Sequence, residues 1–191
     1  MTDQVIILTH GDVEIDPKVD VPQWPLNARG RDRHSVFAKN LVLSNVTSLF
    51  CSAEQKAIDG AEITGSELGL TPIVIEGLGE NDRSATGFLP KEEFEKTADA
   101  FFAYAENCVR GWETAVAAQT RIVAAVESVL ATDRPDGDVL IVSHGAVAGL
   151  LRCALKDIRI TREEDQPAGQ GGNWYSFPAT MDAAPSPWRT I

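Results

Sequence analysis

The sequence predicts an α/β fold, a three-layer sandwich in which a mostly parallel central sheet is flanked by helices. Short apolar runs rich in Val, Ile and Leu alternate with longer segments of helical periodicity, the pattern of a sheet covered on both sides. Two of these runs are near copies: Val5-Ile6-Ile7-Leu8-Thr9-His10-Gly11 and Val139-Leu140-Ile141-Val142-Ser143-His144-Gly145. Unbroken apolar runs suit strands buried on both faces. The length of 191 residues fits one domain, 1–191, large enough for a full core.

Each element has a local reason. Residues 4–8 read as a buried strand, followed by a polar, proline-rich loop over 12–25. Asn27 is placed to cap a helix carrying Val36, Leu41 and Leu43 on its apolar side. Residues 48–52 read as a second strand, 54–69 as a helix closed by Gly69, and 72–75 as a third strand. A loop over 76–90 contains Gly77, Gly79 and Gly87. Pro90 suits the first turn of the next helix, where Glu92 and Glu93 complement the positive end of its dipole and Phe94, Ala98, Phe101 and Phe102 follow. Residues 111–131 give the longest helix, with Ala115, Ile122, Ala125, Val126 and Val129 at helical spacing. A turn at 134–137 leads to a fourth strand, 138–142, and a helix, 145–156. Residues 169–172 read as a flexible stretch before a possible edge strand, 173–177.

Composition excludes several classes. Hydrophobic residues at 43% and charged residues at 24% are ordinary for a globular protein, and no apolar stretch reaches bilayer length. The N-terminus has no basic region before its short apolar run, so no signal peptide is expected and a cytoplasmic location is. The net charge of -11 argues against nucleic acid or an anionic membrane as partner. Three widely spaced cysteines, Cys51, Cys108 and Cys153, fit reduced thiols. With no CxxC pair and no HExxH, neither a metal nor another cofactor is expected.

The chemistry-bearing residues gather at strand ends. A lone histidine ending a strand is usually an inert hydrogen-bonded cap. Two of only three histidines in matched His-Gly contexts point instead to a shared pocket, because open α/β sheets bind ligands beyond the carboxyl ends of their strands. Gly11 and Gly145 allow a sharp turn and close approach of a ligand. Lys56 falls in the first turn of the 54–69 helix, where a cation opposes the dipole unless an anion compensates. The loop Gly77-Leu78-Gly79-Glu80-Asn81-Asp82-Arg83 supplies two carboxyl groups and an arginine. His34, among charged residues, reads as solvated. Cys51 reads as a small buried residue, and the tryptophans as packing groups, with Trp24 a candidate for the pocket mouth.

The order His-Gly, Ser-x-x-x-Lys, acidic loop, Ser-His-Gly resembles the histidine phosphatase superfamily, the phosphoglycerate mutase-like fold, over roughly residues 4–155. The resemblance includes Trp24-Pro25-Leu26-Asn27-Ala28-Arg29-Gly30 and implies that fold. It implies that His10 is a nucleophile that becomes phosphorylated, that His144 helps bind the phosphoryl oxygens, and that Glu80, with Asp82 as runner-up, is the proton donor. Lys56, Arg83, Thr9, Gly11, Asn27, Arg29 and Gly145 are the implied phosphate-binding set. Two positions depart from the family's usual motifs: Thr9 stands before the nucleophile in place of arginine, and Lys56 replaces the second motif's arginine. Two guanidinium forks are thus missing. A less familiar branch of the superfamily carries Ser-x-Glu-x-Lys-Ala, Asp-Arg and Glu-Thr-Ala, matched here by Lys56, Asp82-Arg83 and Glu113-Thr114-Ala115.

The activity implied is metal-independent hydrolysis of a small phosphomonoester through a phosphohistidine. The alternative is a catalytically degenerate member that binds an anion or a protein partner without turnover. A mutase ranks last, because the short spacing from Ser52 to Glu80 leaves no room for the insertions that enclose a mutase substrate. Neither the substrate's identity nor the oligomeric state is legible.

Overall fold

The computed structural model describes residues 3–167, 169 and 171–191. Among the described residues six strands form one sheet: β1 (Gln4–Thr9), β2 (Val46–Cys51), β3 (Ile73–Val74), β4 (Asp138–Ser143), β5 (Asn173–Pro178) and β6 (Arg189–Thr190). Their order is β3-β2-β4-β1-β5-β6. The pairs β1–β4, β2–β4 and β2–β3 are parallel, while β5 runs antiparallel to both β1 and β6. Five longer helices flank the sheet: α1 (Ala28–Phe37), α2 (Gln55–Leu68), α3 (Lys91–Ala103), α4 (Ala115–Leu130) and α5 (Gly145–Leu155).

Strand alternation divides the core into two layers. Val5, Ile7, Val139, Ile141, Phe50, Tyr175 and Phe177 pack with side chains of α3, α4 and α5. Their neighbours Ile6, Leu8, Leu140, Val142, Leu49, Cys51 and Trp174 pack with Phe37 of α1 and Ala57 and Ala61 of α2. The expected three-layer α/β sandwich is therefore observed. None of the helices among the described residues is long and apolar enough to cross a membrane.

The caps follow the chemistry expected of them. Asn27 Oδ1 accepts the Gly30 N–H at 2.9 Å, a cap typically worth about 1 kcal/mol. Thr114 does the same for Ala117 at the start of α4, and Gly69 ends α2 in the left-handed conformation. Other expectations need correction. The first helix stops at Phe37 and buries Gly30, His34 and Phe37. Val36 lies off that buried face and is 64% exposed, and Leu41, beyond the helix end, is 87% exposed, while Leu43 turns back to the core. At the start of α2 the N-cap is Glu54, whose N–H donates to Ser52 Oγ at 3.3 Å. The segment 173–177 is no edge strand: it lies between β1 and β6. In the stretch read as flexible, Gln170 lies outside the described residues, but the Gly172 N–H donates to the His10 carbonyl at 2.7 Å.

Candidate active site

The strand order explains why the two His-Gly motifs meet. β4 lies between β1 and β2, with Thr9 level with Ser143 and Cys51 level with Val142. The His10 N–H donates to the Ser143 carbonyl at 3.0 Å and the Ser52 N–H to the Val142 carbonyl at 3.1 Å. Residues 10, 144 and 52 thus leave the carboxyl edge side by side. The rings of His10 and His144 stand edge to face, with centroids 5.2 Å apart.

Backbone contacts orient His10. Its Nδ1–H donates to the Gly11 carbonyl at 2.9 Å, which leaves the Nε2 lone pair uncommitted. Burial, with the Lys56 charge adding to it, lowers its pKa to about 4, so the ring is neutral near pH 7. Behind it lies the largest correction to the sequence reading. His34 is not solvated but fully buried, and its Nε2 accepts the Gly11 N–H at 3.1 Å. Its Nδ1 faces Thr64 Oγ1 at 3.4 Å. Burial, then the proximity of His10, lowers its pKa to about 3. Gly60 makes the space: a Cβ there would come within 2.6 Å of the His34 ring. Gly11 therefore spends its N–H on His34 and its carbonyl on His10.

His144 lies beneath His10, with no exposed surface. Ser52 Oγ is 2.6 Å from its Nε2, and Glu54 Oε1 is 3.4 Å away. Its Nδ1 is buried without a hydrogen-bond partner among the described residues. Burial pushes its pKa well below the usual histidine range. Lys56 is also buried, and its ammonium group is held by Glu54 and by the Val21 carbonyl at 2.9 Å. Burial alone would raise the Glu54 carboxyl, but His144 and then the Lys56 ammonium outweigh it and hold the pKa at about 2. Lys56 is thus a neutralised cation beside the cavity and does not line it.

The acidic loop is clamped in place. Ser143 Oγ donates to the Leu78 carbonyl at 2.7 Å, and the Glu80 N–H donates to Glu54 Oε1 at 2.9 Å. Arg121 of α4 donates to the carbonyls of Gly77, Gly79 and Glu80 and pairs with Glu113. Glu113 Oε2 in turn accepts the Asp82 N–H. Arg121 was missed from sequence: its periodicity signalled only a polar helix face. The Glu80 carboxylate accepts the N–H groups of Asn81, Ala146 and Val147 and so sits at the N-terminus of α5. Asp82 is exposed and turned to an adjoining groove, where hydrogen bonds from Ser84 hold its carboxyl below the usual range.

A cavity of about 240 Å³ opens above His10. Glu80, Arg83, Asp165 and Gln166 line its polar part; Phe94, Phe101, Phe102 and Trp112 line the apolar part. Arg83 stacks on Phe94 and Trp112, 5.3 Å and 5.7 Å from the ring centroids. Among the described lining residues it is the one Lys or Arg, and no described carboxylate lies within ion-pair distance of it. Gly11 and Gly145 also line the cavity.

Thr9, Asn27 and Arg29 do not. Thr9 is fully buried and bonded to Gln166 and Asn173, Asn27 is engaged as the α1 cap, and Arg29 is 72% exposed and faces Asp12 at 3.5 Å. Trp24 closes the 12–25 loop on itself by donating to the carbonyls of Asp16 and Val19. Asp165 gave no sequence signal; burial raises its pKa to about 6. No cluster of three or more His, Cys, Asp or Glu among the described residues is placed to hold a metal ion.

A neutral imidazole on the carboxyl edge of the parallel part of the sheet thus shares one cavity with an arginine and a carboxylate in an α/β protein. The family model for the histidine phosphatase superfamily (branch 1) matches residues 5–171, and the chain belongs to that superfamily. Among solved structures, mycobacterial glucosyl-3-phosphoglycerate phosphatase has 20% identity and a TM-score of 0.75, over 99% of this chain and 97% of that one. YhfR of Bacillus stearothermophilus has 24% identity and a TM-score of 0.72, over 91% and 89%. A protein described as mycobacterial hydrolase 2 has 20% identity and a TM-score of 0.76, over 92% and 81%. At these identities the likeness is one of fold. No curated relative matches the chain.

Proposed function

We propose that the protein hydrolyses a small phosphomonoester through a phosphohistidine on His10. The observation that carries this reading is the His10 tautomer: neutral, with Nδ1–H tied to Gly11 and Nε2 free, on the wall of a cavity shared with Arg83 and Glu80. The Nε2 lone pair attacks phosphorus as the P–O bond to the leaving group breaks. Glu80, in its protonated form, gives its proton to the departing alkoxide, then takes one from the water that cleaves the N–P bond and releases phosphate. Arg83 stabilises the charge on the transferring oxygens. One such donor is typically worth about 3 kcal/mol. His144, buried beneath His10 and bonded to Ser52, does not line the cavity and supports the His10 ring by edge-to-face contact. The aromatic wall suits an apolar leaving group, so para-nitrophenyl phosphate is a suitable probe.

The test is hydrolysis of that ester from pH 5 to 8. Wild type is expected to turn over, His10→Ala to lose three orders of magnitude or more, and Glu80→Gln to lose about 10²–10⁴-fold in kcat. Undiminished activity in His10→Ala would refute the reading. A second reading, anion binding without turnover, is favoured by the neutralised Lys56 and by Thr9. It predicts phosphate binding with no hydrolysis in wild type.

A further inference from the structure

The departure at Thr9 raises the question of what replaces the missing donor. Thr9 Oγ1 donates to Gln166 Oε1 at 2.8 Å, and Asn173 Nδ2 donates to the same oxygen at 3.1 Å. Asn173 is itself oriented by Thr190 Oγ1–H, which donates to Asn173 Oδ1 at 3.1 Å. Both lone pairs of the Gln166 amide oxygen are thus used, and the amide is held in one orientation. Its Nε2 has no acceptor among the described residues, although Gln166 lines the cavity with His10. The amide group lies over Gly145 at the start of α5: a Cβ at Gly145 would stand 2.2 Å from Gln166 Nε2. Glycine at 145 is what lets the amide approach.

We propose that the Gln166 carboxamide is a phosphate-binding donor, held by Thr9 and Asn173, and that it takes over part of the recognition that an arginine at position 9 would supply. This deepens the reading of the same cavity given above, but rests only on anion binding there. The physical case is electrostatic as well as geometric. With Lys56 neutralised by Glu54, Arg83 is the free cation of the cavity among the described residues, and Glu80 and Asp165 bring carboxyl groups into it. A neutral N–H donor adds a hydrogen bond to a phosphoryl oxygen without a further buried charge to desolvate.

The experiment is calorimetric titration with inorganic phosphate and with orthovanadate, alongside thermal unfolding. Hydrogen bonds to charged groups predict that Gln166→Ala weakens both anions about 10- to 100-fold, while loss of the acceptor shared by Thr9 and Asn173 lowers the melting temperature without unfolding the protein. Gln166→Glu should weaken them further by repulsion. Thr9→Val, which never touches the cavity but frees the amide, should weaken them several-fold. Phosphate affinity in folded Gln166→Ala equal to wild type overturns the proposal, as does a wild type that binds neither anion. Because no turnover is involved, Gln166-dependent binding without hydrolysis supports the proposal while refuting the hydrolase reading.

Discussion

Replacing His34 by phenylalanine probes the concealed support of the nucleophile. The two rings have comparable size, so the change removes an acceptor and leaves little cavity. The Gly11 N–H, buried and now donating at 3.1 Å to His34 Nε2, loses its partner. An orphaned buried donor costs about 1–3 kcal/mol. The contact with Thr64 adds little, since it is long at 3.4 Å and the Thr64 hydroxyl already donates to the Gly60 carbonyl at 2.8 Å. The expected loss is therefore about 1–3 kcal/mol, read as a lower urea midpoint at unchanged m value. Gly11 also holds His10 in its tautomer, so kcat should fall with KM nearly constant. His34→Gln, whose amide oxygen reaches a similar position, should recover most of both losses. His34→Phe as stable as wild type within about 0.5 kcal/mol, or no better outcome for Gln than for Phe, would refute the reasoning.

Two further outcomes follow from the buried charges. Lys56→Met removes the partner of the Glu54 carboxylate and should destabilise the protein by about 3–5 kcal/mol, measured by chemical denaturation, with little direct change in phosphate affinity. Stability should also fall between pH 7 and pH 5. The native pKa values of His10 and His34, about 4 and about 3, lie below the unfolded value of 6.5, so in that window the unfolded chain binds protons that the native protein refuses. Each histidine costs about 2 kcal/mol at pH 5. Asp165, raised to about 6, acts in the opposite sense and returns about 1 kcal/mol. Urea midpoints equal at the two pH values would contradict this balance.

Much of the fold was legible because its information is local. The apolar runs at 5–8 and 139–142 had to be buried on both faces, and Asn27, Gly69 and Pro90 punctuate helices by their own backbone chemistry. The matched His-Gly ends placed His10 and His144 at one sheet edge before any contact was known. Tertiary structure decided what each polar group does there. Nothing beside His34 in the chain says that it lies under Gly11, because the partner is 23 residues away and the space is made by Gly60. Lys56 reads as a phosphate ligand until Glu54 is seen to neutralise it, and Thr9 reads as a loss until Gln166, 157 residues on, is found bonded to it. Residue type and periodicity set which groups reach the carboxyl edge. Only the packing of distant segments determined which of them remain free to meet a ligand, since each hydrogen bond spent inside the protein is one withheld from the substrate.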